Sequence, residues 1–345
     1  MKKQLMIAAV AATMASVTMA DISITGDAYF TYANKAIDGD ANVDNQRVRL
    51  KVVGSAGATK VTAVVRNGSQ TRVDYKPTSN DGGKGLHMDS LYVTTKVGPV
   101  SVKAGDYWGT IGLGARSKGA GKKNALSLST SVGGVKLGMF THDGSNSGSG
   151  STNVSASTKV AGATVKLMHN PDNFTNVSVK GTFAGILVAA EQWQDKSATD
   201  NDTTLIHVGG KMGAIKWDVA QIKNDAVYTG GNGKLAPLGS MLIGKSARGG
   251  TATAAKNVGD FTKIMGVAVS TKLAGNTVKA IYSKNTLGAD SQVPNATDDK
   301  VTGMELILTR PLGGAKLTVN LGKISDSDDP TLNNTNKGLR LDVKF

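Results

Sequence analysis

The 345 residues contain no cysteine, so no disulfide braces the fold and stability has to come from packing or backbone pairing. Proline is scarce, with seven residues in all, which spares the N–H donors that a continuous ladder requires. Aromatics make up only 5%, a thin supply for the core of a soluble domain of this length. After residue 20 no stretch approaches ~18 consecutive apolar residues, which excludes a helical membrane span. The 3.6-residue apolar spacing of helices is missing over the same stretch.

Glycine, by contrast, is plentiful at 43 residues, as a chain with many tight turns requires. The first segment, MKKQLMIAAVAATMASVTMA, opens with Lys2 and Lys3, continues through an apolar stretch centred on Met6–Ala12, and places Thr18 and Ala20 ahead of Asp21 as a small-residue cleavage site. This is the pattern of a secretory signal, too short and Ala-rich for a stable membrane anchor. The expected organisation is therefore a cleaved leader over 1–20 and a single domain over 21–345. Removing the two lysines of the leader, which holds no acid, takes the net charge from +14 to +12.

The rest of the chain alternates. In DISITGDAYF, Ile22, Ile24, Ala28 and Phe30 share one face, and Ser23, Thr25, Asp27 and Tyr29 the other. RVRLKVV sets Arg47, Arg49 and Lys51 against Val48, Leu50 and Val52. KVTAVVR sets Lys60, Thr62 and Arg66 against Val61, Ala63 and Val65. Period two with one apolar face is the signature of β-strands. The connections alternate between two classes. Short ones fall at Gly54–Gly57, Gly98–Pro99, Gly133–Gly134, Ala161–Ala163, Phe183–Gly185, Gly209–Gly213, Leu273–Asn276 and Pro311–Gly314; long polar ones include 141–152, 225–259 and 325–336. About eight tight turns imply about 18 strands in an up-and-down antiparallel array.

Such an array is either a soluble sandwich, with its apolar faces in a dry core, or a membrane barrel, with those faces toward lipid. Arg47, Arg49 and Lys51 would be prohibitive in a dry core and ordinary in a wet lumen. They could equally be a solvated outer face of a sandwich, so charge alone leaves both open. The export signal, the even turn count, the two loop classes and the terminal GLRLDVKF favour the barrel. In that last strand Leu339, Leu341, Val343 and Phe345 alternate with Arg340, Asp342 and Lys344.

At this point the chain resembles the Gram-negative general (diffusion) porin family of outer-membrane β-barrels. DISITGDAYFTY is similar to that family's opening strand, QRVRLKVVGSAGATKVTAVVRNG to its second hairpin, LYVTTKVGPVSVKAGDYWG to the hairpin running into its third loop, and GLRLDVKF to its terminal strand. The resemblance implies a transmembrane antiparallel barrel, usually of sixteen strands, fewer than the residues themselves suggest. It further implies short periplasmic turns, longer extracellular loops and a constriction loop folded into the lumen. It also implies a homotrimer and recognition of Phe345, with Leu339, Leu341 and Val343, by the outer-membrane assembly machinery.

Carried over by position, WGTIGLGARSKGAGKKN (108–124) is the constriction loop, with Arg116, Lys118, Lys122 and Lys123 and with Asp106 just before it. Arg47, Arg49, Lys51 and Arg66 match the basic pore wall. Where the family opposes an acidic loop to a basic wall, this arrangement is expected to be partly inverted. With +12 on 21–345 and basic lining, the expected activity is a weakly anion-selective, passive channel for ions and small hydrophilic solutes. The alternatives are a solute-specific porin for phosphate or organic anions, and a β-rich structural or adhesive surface protein without conductance. Expected partners are outer-membrane lipid and lipopolysaccharide, a second and third copy of the chain, and the diffusing solutes.

Other signals carry less. GSMLIGKS (239–246) fits a phosphate-binding loop but lacks the preceding strand and following helix that chemistry needs. His87, His142, His169 and His207 have no metal-ligand spacing, no serine sits in a nucleophile elbow, and the loop acids Asp326, Asp328 and Asp329 lack the pattern of a defined calcium site. No cofactor, metal site or catalytic group is expected. Basic residues spread over alternating strands without an aromatic platform argue against nucleic acid. Trp108, Trp193 and Trp217 are expected at strand ends as interfacial anchors.

Overall fold

The computed structural model describes residues 21–35, 43–67, 86–115, 119–143, 150–196, 202–228, 238–239, 261–287, 300–326 and 334–345. The leader expected over 1–20 lies outside them, as do Arg116, Lys118, Asp328, Asp329 and all of the 239–246 motif after Gly239.

Eighteen strands form one sheet. They are β1 (Asp21–Lys35), β2 (Val43–Ala56), β3 (Thr59–Asn67), β4 (Leu86–Val97), β5 (Val100–Thr110) and β6 (Gly119–Val132). Next come β7 (Val135–Asp143), β8 (Ser151–Val160), β9 (Ala163–Asn170), β10 (Phe174–Phe183), β11 (Ile186–Asp195) and β12 (Thr203–Met212). The last are β13 (Ile215–Tyr228), β14 (Phe261–Leu273), β15 (Asn276–Leu287), β16 (Lys300–Leu312), β17 (Ala315–Asp326) and β18 (Asn334–Lys344). Each pairs antiparallel with its neighbours in sequence, and β18 pairs with β1, so the sheet closes into a barrel. The count agrees with the one drawn from the turns and departs from the sixteen that the family resemblance implies.

All eight tight turns are present, but of the expected segments 54–57 and 209–213 only the last residue is in the turn, because β2 runs on to Ala56 and β12 to Met212. At Ala161–Gly162 both residues have positive φ, 48° and 84°, the type I′ geometry whose twist matches that of the flanking strands. At the other end one connection is as short as a turn, Pro171–Asn173, where Asn170 Oδ1 accepts hydrogen bonds from the amides of Asp172 and Asn173 at 3.0 and 3.1 Å.

The sheet's outer face is apolar and uncovered: Ile24, Met212, Leu273 and Met304 are each at least 60% exposed. That is the reverse of a soluble sandwich, which buries its apolar strand faces against a second layer. It is the outer band that a lipid-facing barrel presents. Inward positions are polar or charged on one side of the barrel and partly apolar on the other. Trp193 departs from the expected interfacial placement. It points inward, 7% exposed, and its ring stacks on Phe174 at 4.3 Å, because Trp193 shares the face of Leu187, Ala189 and Glu191 in β11.

Closure is a matched seam. Asp27 through Lys35 pair with Lys344 through Asn336, which aligns Ala28, Phe30 and Tyr32 with Val343, Leu341 and Leu339 on the outer face. The ladder ends with two backbone bonds, Gly26 N–H to Phe345 O at 2.6 Å and Phe345 N–H to Gly26 O at 3.0 Å. The Phe345 ring occupies the space that a Cβ on residue 26 would fill. The glycine is therefore a docking notch for the last aromatic. Gly26→Val is expected to displace that ring, at the roughly 1–3 kcal/mol that overpacking costs, and to lower the temperature at which the compact barrel band disappears on a semi-native gel. An unchanged transition would show that the ring does not hold the seam.

Candidate functional site

Strand register builds the charged wall. On β1 and β2, Asp27 lies opposite Arg49 and Tyr29 opposite Arg47, and Arg49 in turn lies opposite Arg66 of β3. Asp27 accepts from both neighbours, Arg47 Nη2 to Oδ2 at 3.0 Å and Arg49 Nε to Oδ1 at 2.7 Å. The Tyr29 ring lies beneath two guanidinium groups, those of Arg47 at 4.7 Å and Arg340 at 4.2 Å. Arg340 is also ion-paired to Asp342, which Lys316 approaches at 3.7 Å. Arg66 pairs with Asp89 at 3.0 Å and donates to His87 Nε2 at 3.3 Å. An irregularity in the β3–β4 register, between Val64 and Val65, places Asp89 between two paired positions and lets it join Ser90 on the buried side. The four wall residues expected from sequence, Arg47, Arg49, Lys51 and Arg66, thus stand on one inner surface.

Beyond them the wall continues through a residue that sequence reasoning passed over. Lys103 of β5 lies over the rings of Tyr92 at 4.1 Å and Tyr107 at 3.8 Å, and those rings meet edge to face at 5.8 Å. Lys103 and Tyr107 border two cavities. One, of about 730 Å³, also meets Asp27, Arg49, Lys51, Asp89 and Lys344, four cationic against two acidic side chains in all. The other, of about 360 Å³, meets Lys103, Lys136 and Lys166 and, among the described residues, no carboxylate. Period two carries the signal for all three lysines, since each alternates with outward apolar residues, but they are far apart in sequence.

The opposite side of the lumen carries an apolar cluster. Residues 111–115, IGLGA, leave the end of β5 and turn into the barrel. Ala115 and Leu113 pack against Leu205, Ile222, Ile264, Ile281 and Ile307, the inward residues of β12–β16, and Leu238 from the β13–β14 connection joins the same cluster. Ile111 packs with Met168 and Trp193. One side chain fastens this segment. Glu191 of β11, 1% exposed, accepts the amides of Leu113, Gly114 and Ala115 on Oε2, each at 2.9 Å. Its Oε1 accepts from Asn176 Nδ2 at 2.6 Å. Gly112 has no Cβ because Glu191 Oε1 occupies that space. Lys166 adds a bond from Nζ to the Ile111 carbonyl at 3.2 Å.

The inward segment is shorter than the 108–124 reading, since β5 ends at Thr110 and β6 begins at Gly119. Its described part carries no charged residue. Lys122 and Lys123 belong to β6, where Lys122 lies opposite Tyr107 and Lys123 opposite Asp143. Asp106 is engaged at the β5–β6 irregularity, accepting from the Asn124 amide at 2.7 Å, and it shares the strand face of Val102 and Ala104. Asp106 is thus turned to the outer face, and Arg116 and Lys118, the loop half of the expected opposition, lie outside the described residues. Among the described residues no group of three metal-ligating side chains occurs. Glu191→Ala leaves three buried amides without an acceptor, at about 1–3 kcal/mol each. Hydrogen exchange at 113–115 is expected to accelerate at least about tenfold with the barrel intact, and Glu191→Gln is expected to fall between. Unchanged exchange in the alanine variant would mean the apolar cluster alone holds the loop.

No protein-family model matches the chain, and no curated protein does. Solved structures do match in fold. A crystal structure of Pseudomonas aeruginosa OpdK with vanillate is 13% identical, with a TM-score of 0.64 over 94% of this chain and 98% of that one. Pseudomonas aeruginosa OccK3 (OpdO) is 12% identical, with a TM-score of 0.63 and coverage of 94% and 96%. Acinetobacter baumannii OccAB4 is 10% identical, with a TM-score of 0.66 and coverage of 94% and 98%. The chain has the closed 18-stranded barrel fold of these proteins.

Proposed function

We propose that the chain is exported through its 1–20 leader, inserts in the outer membrane, and forms a water-filled channel for passive diffusion of small anions and hydrophilic solutes. The observation that carries the ion preference is the smaller lumenal cavity, bordered by Lys103, Lys136 and Lys166 and, among the described residues, by no carboxylate. A low-dielectric wall around a wet path focuses the field of such charges and concentrates ions of opposite sign. The apolar outer face supports the membrane setting, and a fold neighbour described as an outer membrane protein supports the compartment. A homotrimer is what the general-porin resemblance implies, and the seam around Phe345 is where the assembly machinery would engage.

A second reading is favoured by one specific feature. Lys103 held against two tyrosine rings is suited to a planar organic anion, which can pair with the ammonium and stack on the aromatics. The vanillate in the OpdK structure is an anion of that type. In this reading the channel is solute-specific, and the inward loop narrows it onto the lysine path. A β-rich adhesive protein without conductance remains the contrasting class.

Planar-bilayer recording separates these. At low salt the reversal potential in a KCl gradient is expected to show anion preference. A unit charge about 5 Å from a permeating ion contributes about 0.8 kcal/mol in a water-like medium, attractive for an anion and repulsive for a cation, so Lys103→Gln is expected to lower the anion-to-cation ratio by up to about sixteenfold. A cation preference in the wild type would sink the selectivity argument, and absence of conductance in a folded barrel would sink the channel. Saturable block of the current by an aromatic carboxylate marks the solute-specific reading, and purely additive current marks the general one.

A further inference from the structure

The positive charge is not confined to the lumen. Five lysines, Lys223, Lys263, Lys284, Lys323 and Lys337, lie at the long-loop ends of β13, β14, β15, β17 and β18 on the outward face. Their strand parity fixes the direction: Lys263 alternates with Met265 and Val267, Lys284 with Tyr282, Lys323 with Leu321, and Lys337 with Leu339, all outward and exposed. Four of the lysines are themselves exposed and Lys263 is half-buried.

Register brings them into two groups. Lys223 lies directly opposite Lys263, and Lys284 lies opposite Met265, diagonal to Lys263. Across β16, Lys323 lies opposite Thr335 of β18 while Lys337 lies opposite Leu321 of β17, so these two are also diagonal neighbours. With strands ~4.8 Å apart, the row extends over about 24 Å. Like charges directly opposite on adjacent strands are destabilising. None of the five has an ion-pair partner among the described residues. One acid, Asp225, shares the face, two residues beyond Lys223. Around the other half of the rim the outward positions include uncharged residues, for example Thr141, His169, Gln192 and Thr204, and the acid Asp106. Immediately below the lysines the surface turns apolar.

We propose that this face is a docking surface for a phosphorylated glycolipid of the outer leaflet. The two lysine groups would hold phosphates on its head, and the apolar strip beneath would meet its acyl chains. A lysine near an anionic membrane surface contributes about 1 kcal/mol, and a lipid, unlike a free ion, satisfies both the charged row and the strip below it. The proposal rests on the outer-membrane reading above, while its residues are separate from the lumen, so the two stand or fall by different measurements.

The test uses the folded barrel in detergent, incubated with bisphosphorylated lipid A or with the same lipid after dephosphorylation, and native mass spectrometry of the bound population. The wild type is expected to retain the phosphorylated lipid at least about tenfold better, equivalent to about 1.4 kcal/mol. The K223Q/K263Q/K284Q/K323Q/K337Q variant is expected to lose that preference while keeping wild-type conductance. Equal retention of the two lipids by the wild type overturns the proposal whether or not the variant folds. So does an undiminished preference in the folded variant, or complete displacement of the lipid by millimolar inorganic phosphate. A barrel that prefers the phosphorylated lipid but carries no current would overturn the channel reading and leave this one.

Discussion

Every other feature of this protein depends on the closure of the sheet. A β-strand leaves one row of amides and carbonyls on each side, and at the outer surface described here there is little polar side-chain material to satisfy them. Eighteen strands resolve this by pairing the last with the first, so that no edge remains along the paired length. The residues that make the seam are correspondingly constrained. Gly26 leaves room for Phe345, the outward residues of β18 match those of β1 across the register, and the inward Arg340 and Asp342 are bonded to each other and to the adjoining strands.

Once the wall is closed, its inside is free to be divided. The segment 111–115 does not hang in the lumen by its own conformation. An apolar patch on β12–β16 draws in Leu113 and Ala115, and Glu191 satisfies the three amides that the turn would otherwise bury unpaired. That carboxylate is engaged by three backbone donors and by the Asn176 amide. Two cavities lie against β18 and β1–β9, where lysines and arginines outnumber acids. The proposed selectivity thus depends on where the loop is fastened as much as on the charges on the facing wall.

The strands of the first third were legible because both faces are distinct: Arg47, Arg49 and Lys51 against Val48, Leu50 and Val52 could be assigned by parity alone. In β14 the same test fails. Ile264 and Ala268 point inward while Met265, Val267 and Val269 point outward, so both faces are apolar and the sequence does not say which is which. The same blurring hid Trp193, whose partner Phe174 is nineteen residues away. Glu191 gave no local sign of its role, because its acceptors' counterparts lie about 77 residues earlier in the chain. Lys122 and Lys123 were placed in a loop by resemblance, whereas backbone pairing extends β6 back to Gly119.

Composition, period-two alternation and the glycine turns by themselves determined an up-and-down array of eighteen strands with its first wall of cations, because side-chain direction in a strand depends only on parity and turn geometry only on a few local residues. Which inward charges meet across strands, where residues 111–115 are fastened, that Asp106 serves a backbone irregularity, and that five separate lysines form one row on the outside were decided by register and closure. Those are distances between residues far apart in sequence, and only the folded sheet sets them.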